Sequence, residues 1–424
     1  MKSVTIQRFA PDFQKIYDFD APASKSLINR ALLLAAFSEG NILLKCGSFA
    51  EDTRAILNCL ASLGIRTENR SDGILVHACG KNIPNKQAKL NVMSAGTCAR
   101  FLPATLAALG GDYFFDSSEQ MKKRPMEFLS ELEKAGAEIE FFEKGNSFPF
   151  RLRSKGFRRS EFTVDTDTST QYASALLIAG ALSKEPLHLN LTGSRTEGSY
   201  IKMTLSLLSA FGAEWSRDQN TVTVLSATKP PKEFEVEADL SAACYFYALA
   251  LLFGIKVLIP RVKKNGFQGD IKFLELLEKR GVRFFETDEG LLANGSGITS
   301  FEGFNENFCD FSDQTLTAAA LAPFASSPSR ISGIGHIRKQ ECDRITAIER
   351  NLNALGVPCV SGNDFIEIQP AQPKDGTVET FHDHRVAMAF SLIGLKTGNV
   401  VIDDAECCNK TFEGYFDELN KLNV

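Results

Sequence analysis

Two kinds of helix alternate along the chain, and they differ in how their apolar residues are distributed. The first kind is apolar on nearly every side, which is typical of a helix inside a protein. Six segments have this pattern: 27–37, 99–109, 172–182, 242–253, 316–324 and 386–395. The most apolar window, 242–259, contains Gly254 and Lys256. It therefore predicts a core helix followed by a strand rather than a membrane span.

The second kind of helix is amphipathic and ends at a glycine. Five segments share this pattern: 53–64, 126–136, 201–212, 271–281 and 345–356. Strand-like segments such as 73–77 and 221–224 follow them, and a sixth helix at 412–422 closes the chain. The pattern recurs about every seventy residues. We interpret the chain as six copies of one α/β (α+β) unit with a buried helix, a surface helix and several strands.

Composition and charge limit the classes of protein to which this chain could belong. The 424 residues suffice for two or three domains, and the net charge of −5 argues against a nucleic-acid binder. The ten cysteines form no Cys-x-x-Cys pair, and the first residues lack the apolar region of a signal peptide. These features predict reduced thiols in a cytoplasmic protein. With five histidines and one close pair, His382 and His384, no metal site is expected.

The start of the first buried helix carries misplaced cations. Lys25 and Ser26 stand at its beginning, and Arg30 follows about one turn later. The helix dipole disfavours a cation at this end by a few tenths of a kcal/mol. Two cations and a hydroxyl group are understandable there if an anion binds. The alternative is a lysine that reaches solvent beside a capping serine.

Polar residues also precede the other five buried helices. They are Ser94–Arg100 with Gly96, 167–171, 239–241, 312–314 and 383–385. Capping explains one Ser, Thr or Asp at each helix. It does not explain Lys25, His384 and Arg385 at positive helix ends. The sequence therefore predicts a site for a strongly anionic ligand.

A set of motifs in a fixed order identifies a family resemblance. The motifs are Ser-Lys-Ser-x-x-x-Arg (24–30), Ala-Gly-Thr-x-x-Arg (95–100), Lys-x-Arg-Pro (122–125), Ser-Thr-Gln (169–171), Gln-Gly-Asp (268–270), Glu-x-Asp-Arg (341–344), Asp-His-Arg (383–385) and Lys-Thr-Phe (410–412). Together they resemble the 5-enolpyruvylshikimate-3-phosphate synthase family over essentially the whole chain. The resemblance implies an inside-out α/β barrel architecture with buried inner helices and outer sheets. It implies two domains of three repeats, 1–22 with 238–424 and 23–237, and an active site in the cleft between them.

The resemblance also implies a reaction and roles for residues. The enolpyruvyl group of phosphoenolpyruvate would move to the 5-hydroxyl of shikimate 3-phosphate without a cofactor, and we expect a monomer. The implied catalytic residues are Asp313, Glu341, Lys25 and His384. The implied phosphoenolpyruvate ligands are Lys25, Gly96, Arg124, Arg344, Arg385 and Lys410. The implied shikimate 3-phosphate ligands are Ser26, Arg30, Ser169, Thr170, Gln171, Tyr200, Asp313, His336 and Gln340.

Simpler roles stay open for several of these residues. Asp313 could be a helix cap, Tyr200 and Gln171 could pack at helix starts, and Arg124 could belong to a solvated basic run. For Gln268 and Asp270, in the Gln-Gly-Asp motif, we favour a structural role.

The sequence departs from the family pattern at five positions. Ser94 replaces Asn, Phe101 replaces Pro, Glu197 lies near a family Ser, and His336 and Gln340 replace Asn and Lys. Loss of a cation predicts weaker binding of shikimate 3-phosphate. Two alternatives follow: a homologue with impaired catalysis, or an enolpyruvyl transferase acting on a UDP-sugar. Ser26 directly after Lys25 argues against the UDP-sugar enzyme.

Overall fold

The computed structural model describes residues 2–226 and 230–423. The chain forms two compact units, one of Met1–Pro22 with Glu237–Val424 and one of Ala23–Val236. Glu237, which the sequence division placed with 23–237, groups with the first of these units. Its carboxylate accepts hydrogen bonds from the Phe267 backbone N–H and the Gln268 amide, both at 3.1 Å.

The strands of the unit Ala23–Val236 form three sheets with one common order. In each sheet the first two strands are parallel, and the third and fourth add antiparallel. In spatial order the sheets are Glu233–Glu235, Ile42–Lys45, Gly73–Val76, Thr67–Arg70; Gln87–Asn91, Gly111–Asp116, Phe150–Ser154, Glu138–Phe141; and Glu161–Asp165, Leu187–Thr192, Thr221–Val224, Trp215–Asp218.

The other unit repeats this order in two four-stranded sheets, and its third sheet has the first three strands of the order. They are Ile16–Asp18, Lys256–Pro260, Gly290–Asn294, Arg283–Glu286; Asn305–Asn307, Ser329–Ser332, Phe365–Ile368, Cys359–Ser361; and Gly376–Val378, Val400–Ile402, Val4–Ile6. In the last sheet the strand Val4–Ile6, from the start of the chain, supplies the antiparallel partner. The shared order confirms the repeat that the sequence predicts.

The six apolar helices are almost fully buried, as their pattern predicts. They are Lys25–Phe37, Gly96–Leu109, Thr170–Leu182, Leu240–Phe253, Thr315–Leu321 and His384–Thr397. Each begins one to three residues before its apolar segment, and the first begins at Lys25, the residue that the sequence places at its start. First-turn N–H groups have no partner within the helix, so they can donate to polar side chains or to a bound anion. Segment 316–324 is not one helix, because it changes at Pro323 into the 3-10 helix Ala322–Phe324.

The amphipathic helices lie after the buried ones. They are Glu51–Ser62, Leu129–Lys134, Ser199–Ala210, Ile271–Lys279, Arg344–Ala354 and Tyr415–Asn420. The last is shorter than the predicted 412–422, because Gly414 adopts a left-handed conformation before it. The five predicted turn glycines all have positive φ: Gly64, Gly136, Gly212, Gly281 and Gly356. Only glycine adopts this conformation freely, which explains why each helix ends there.

Short helices complete the described structure. They are the α-helix Glu119–Lys122 and the 3-10 helices Ser312–Gln314, Gly335–Lys339, Ala405–Lys410 and Lys421–Asn423. Within each unit the three buried helices pack against one another. Burying each of their large apolar side chains contributes about 1.5–3 kcal/mol, which anchors the polar first turns of these helices.

Candidate active site

Asp313 lies between two guanidinium groups in the unit that contains Glu237–Val424. Its Oδ1 is 3.1 Å from Arg344 Nη1, and its Oδ2 is 2.9 Å from Arg385 Nη2. The three side chains are 14%, 3% and 10% exposed. Asp313 is the middle residue of the 3-10 helix Ser312–Gln314, and both of its carboxylate oxygens take part in these ion pairs.

Asp383 binds the guanidinium group of Arg344 and the backbone of Arg385. Arg344 Nε donates to Asp383 Oδ2 at 2.8 Å, and the Arg385 backbone N–H donates to Asp383 Oδ1 at 2.9 Å. Asp383 is fully buried. Burial alone would lower the pKa of Arg344, but Asp383 and Asp313 raise that pKa above its usual value. Arg344 therefore stays charged. We call Asp313, Asp383, Arg344 and Arg385 the arginine cluster.

Of the residues that depart from the family pattern, Gln340 contacts a member of the arginine cluster and His336 contacts a neighbour of it. Arg344 Nη1 donates to Gln340 Oε1. His336 Nε2 lies 2.8 Å from the hydroxyl of Ser312, the residue before Asp313. His336 lies in the 3-10 helix Gly335–Lys339, and Gln340 is the residue directly after this helix.

Glu341 and Lys410 form a further ion pair in this unit. Their side chains are 10% and 13% exposed, and Lys410 ends the 3-10 helix Ala405–Lys410. His384 is the first residue of its helix, is nearly buried, and has Nδ1 3.7 Å from Asp383 Oδ1. This unit thus contains, besides the arginine cluster, the carboxylate of Glu341, the amine of Lys410 and the imidazole of His384. All three types of group can transfer protons.

The unit Ala23–Val236 holds the predicted residues of the first buried helix. Lys25 Nζ lies 3.4 Å from the nearly buried carboxylate of Asp52. Arg30 is buried, and it donates to Thr204 Oγ1 at 2.8 Å, to the Ser26 carbonyl at 2.7 Å and to Ser174 Oγ at 3.1 Å. Arg30 thereby fixes the first turn of the helix, including Ser26.

Aromatic rings flank the buried Arg30 guanidinium. Its Cζ is 4.9 Å from the centre of the Phe101 ring and 5.9 Å from that of Tyr200. Burial lowers the pKa of Arg30 to about 10, and Arg30 stays charged at neutral pH. Phe101, which stands where the family has Pro, therefore contributes a cation–π contact.

Gly96 and Arg124 are in close contact in the same unit. A Cβ atom on Gly96 would lie 2.9 Å from Arg124 Nη1, so the absence of a side chain makes room for the guanidinium. The carbonyl of Pro125 accepts from Arg100 Nη2 at 2.8 Å and from the Tyr172 hydroxyl at 2.7 Å. These two bonds hold the segment that presents Arg124 at the start of a buried helix.

The Ser-Thr-Gln motif forms the start of the third buried helix. Ser169 Oγ accepts from the Gln171 backbone N–H at 3.2 Å, and Thr170 is the first helical residue. Tyr200 lies in the first turn of Ser199–Ala210. Glu197, near the family Ser, pairs with Arg217 at 2.8 Å and Lys202 at 3.2 Å, and these contacts neutralise its charge.

Three groups that shape these clusters were missed in the sequence: Asp52, Ser174 and Thr204. Arg100, Ser312 and Asp383 belong to the polar segments at the starts of buried helices, but no role in the site was predicted for them. Asp383 is the cap residue before His384 and Arg385. Gln268 and Asp270 have structural contacts, as favoured above. The Gln268 side chain accepts from the Leu240 N–H at 2.9 Å, and the Ser241 hydroxyl donates to Asp270.

Within 2–226 and 230–423, no group of three or more His, Cys, Asp or Glu side chains is arranged to hold a metal ion. None of the helices in this part of the chain combines the length and apolar character needed to cross a membrane.

Comparison with known proteins identifies the family. A family model described as EPSP synthase (3-phosphoshikimate 1-carboxyvinyltransferase) matches residues 18–419. The chain belongs to the EPSP synthase family. A 3-phosphoshikimate 1-carboxyvinyltransferase from Nostoc punctiforme is 36% identical over 402 residues, which cover 94% of each chain.

Solved structures related to the EPSP synthase family share the fold. An EPSP synthase from Acinetobacter baumannii matches with a TM-score of 0.81 and 23% identity, covering 100% of this chain and 98% of that one. The enolpyruvyl transferase NikO from Streptomyces tendae matches with a TM-score of 0.71 and 14% identity, covering 99% and 96%. At these identities the structural likeness concerns the mixed α/β fold alone.

Proposed function

We propose that this protein transfers the enolpyruvyl group of phosphoenolpyruvate to the 5-hydroxyl of shikimate 3-phosphate and releases phosphate. The observation that carries the proposal is the arginine cluster, in which Arg344 and Arg385 share the carboxylate of Asp313. Phosphoenolpyruvate carries a phosphate and a carboxylate, and guanidinium groups bind both. Membership of the EPSP synthase family supports the same reaction, and the proposal includes no metal or organic cofactor.

The reaction proceeds by addition and elimination. In the addition, Asp313 accepts the proton of the 5-hydroxyl group, and the oxygen of that hydroxyl group bonds to C2 of phosphoenolpyruvate. A proton from Glu341 or Lys25 reaches the methylene carbon, C3. In the elimination the group that protonated C3 takes a proton back from it, the bond from C2 to the phosphate oxygen breaks, and Asp313 returns its proton to the leaving phosphate. Phosphate leaves and the enolpyruvyl double bond forms again, so the same groups work in both directions.

The contacts support these assignments. Asp313 lies between two guanidinium groups, which hold both oxygens of its carboxylate, the type of group that accepts a proton. Glu341 is largely buried beside Lys410, so both charges lie in surroundings that exclude most water. His384, nearly buried beside Asp383, is assigned to assist proton transfer.

The remaining residues are assigned to substrate binding. Lys25, Gly96 and Arg124, with Arg344, Arg385 and Lys410, hold phosphoenolpyruvate. The contact of Arg124 with Gly96 supports its share, because it places a cation against helix-start N–H groups. The proposed shikimate 3-phosphate ligands are Ser26, Arg30, Ser169, Thr170, Gln171, Tyr200, Asp313 and His336. Arg30 acts from within the protein, by fixing Ser26.

We propose that the enzyme works as a cytoplasmic monomer. Each of the ten cysteines, all within the described residues, is a free thiol. Reduced thiols are typical of proteins in a reducing compartment, which supports the assignment.

A phosphate-release assay tests the proposed function. Wild-type protein with both substrates should release phosphate, and Glu341→Gln should lower kcat by about 10²–10⁴-fold. Glu379→Gln is the matched control, because Glu379 is half-exposed and pairs with Arg350. Turnover unaffected by Glu341→Gln would remove the proposed proton transfer. No turnover by wild-type protein would favour a homologue without catalysis, and turnover with a UDP-sugar instead would favour the other transferase.

A further inference from the structure

The side-chain amide of Gln340 is directed at Arg344. Arg344 Nη1 donates to Gln340 Oε1, from a residue four positions later in the chain. A guanidinium group has only donors, so the amide must present its oxygen, and the orientation is settled by chemistry. The side-chain oxygen of Gln340 therefore points to Arg344 in the arginine cluster.

Three side chains together fix the plane of the Arg344 guanidinium. Nε and Nη2 donate to the two oxygens of Asp383, at 2.8 and 3.3 Å. Nη1 donates to Asp313 at 3.1 Å and to Gln340. Arg344 is 3% exposed, so water offers little competition for these bonds. Gln340 therefore helps to hold Arg344 in one orientation.

The neutrality of this amide matters for anion binding. In the arginine cluster the positive charges of Arg344 and Arg385 are formally balanced by the negative charges of Asp313 and Asp383. A carboxylate at position 340 would make the group negative and would repel an anion. A lysine there would place a second cation against Arg344. A neutral acceptor orients the guanidinium without changing the net charge.

We propose that Gln340 is a positioning residue for phosphoenolpyruvate, acting through Arg344, and that it is not a ligand of shikimate 3-phosphate. The inference rests on the proposed function, because it takes Arg344 as a phosphoenolpyruvate ligand. It replaces the role that the family resemblance implies for position 340. In this chain, Gln340 stands at the position of the family lysine and supports the binding of phosphoenolpyruvate rather than shikimate 3-phosphate.

Steady-state kinetics with each substrate varied at saturating levels of the other tests the proposal. Gln340→Ala should raise KM for phosphoenolpyruvate roughly tenfold, the size expected for losing a hydrogen bond to a charged group. KM for shikimate 3-phosphate should stay within about twofold, the scatter of a neutral change. Gln340→Glu, with the same shape and one more negative charge, should raise KM for phosphoenolpyruvate further.

Two further variants separate positioning from other roles. Gln340→Lys should also raise KM for phosphoenolpyruvate, because it sets a cation beside Arg344. Gln369→Ala, at an exposed position of the same unit, should leave both KM values unchanged. A rise in KM for shikimate 3-phosphate alone, or its fall in Gln340→Lys, would overturn the proposal. Equal rises in both KM values with a lower Tm would also overturn it, as the sign of a merely structural residue. If wild-type protein shows no turnover, the proposed function is wrong, and this inference, which rests on it, is wrong as well.

Discussion

The Nζ atom of Lys410 lies in direct contact with the Oε2 atom of Glu341. The two side chains are 13% and 10% exposed, and they come from segments 69 residues apart in the chain. The pair joins a carboxylate assigned to proton transfer with an amine assigned to anion binding. Each charge therefore shapes the surroundings of the other, and a change at either residue should have a measurable effect on the reaction.

Replacing Lys410 by alanine should weaken phosphoenolpyruvate binding. Loss of a largely buried cation should raise KM for phosphoenolpyruvate by about tenfold or more, and Lys410→Arg should recover much of this loss because it restores the charge. The measurement is KM for each substrate. Lys421→Ala is the control, because Lys421 is half-exposed and pairs with Glu418 at 2.8 Å. An unchanged KM in Lys410→Ala would show that Lys410 serves Glu341 alone.

Lys25→Ala should affect turnover far more than folding. The substitution removes a proposed catalytic amine, and kcat should fall about 10²–10⁴-fold. It also leaves Asp52, nearly buried, without its contact at 3.4 Å, which should cost about 1–3 kcal/mol of stability. The measurements are kcat and the free energy of unfolding in urea.

A double variant separates these two effects of Lys25. Lys25→Met with Asp52→Asn removes both charges, and it should regain stability without regaining turnover. Lys45→Ala, which breaks an exposed pair with Glu233, serves as the control lysine. Loss of folding in the double variant would mean that Lys25 is structural.

Local patterns in the sequence predicted most of the fold. Apolar residues on all sides indicated the buried helices, and turn glycines such as Gly64 marked where the amphipathic helices end. Both signals act within a few residues of one another, so a single sequence displays them. The apolar pattern begins after the first turn of each buried helix, because first-turn residues such as Gly96 and Thr170 are helical without being large and apolar.

The contacts inside the site could not be predicted in this way. Arg30 bonds Ser174 and Thr204, which are 144 and 174 residues away, and no periodicity connects them. Arg344 and Asp383 are 39 residues apart. The residue types pointed to an anion site, but only the fold shows which donor meets which acceptor. Gln340 illustrates the difference, since the family pattern assigned it to one substrate and its contact favours the other.

Arg30→Lys should destabilise the protein although it keeps the charge. The planar guanidinium reaches three acceptors at once and lies against the Phe101 ring, and an ammonium group cannot reproduce both. We expect a loss of about 2 kcal/mol or more, measured by urea unfolding. Arg66→Lys is the control, because the Arg66 side chain is 73% exposed. Equal stability of Arg30→Lys and wild-type protein would refute a structural role for the guanidinium.

Asp270 should make stability depend on pH. Burial raises the pKa of this carboxyl to about 7, Asp313 and Asp239 also raise it, and Arg385 and the Ser241 hydrogen bond lower it. In the unfolded chain the carboxyl titrates near 3.8. The folded protein therefore binds this proton more tightly. Its contribution to stability is complete below pH 3.8 and is lost as the pH rises through about 7.

Asp270→Asn tests this dependence, because an amide has no proton to lose in this range. The free energy of unfolding should be measured in urea at pH 5 and pH 8 for both proteins. The value for Asp270→Asn minus that for wild-type protein should be more positive at pH 8, by at least about 1 kcal/mol. Asp288→Asn, at an exposed position, should show the same difference at both pH values. A difference for Asp270→Asn that does not change with pH would mean that Asp270 stays ionised in the folded protein.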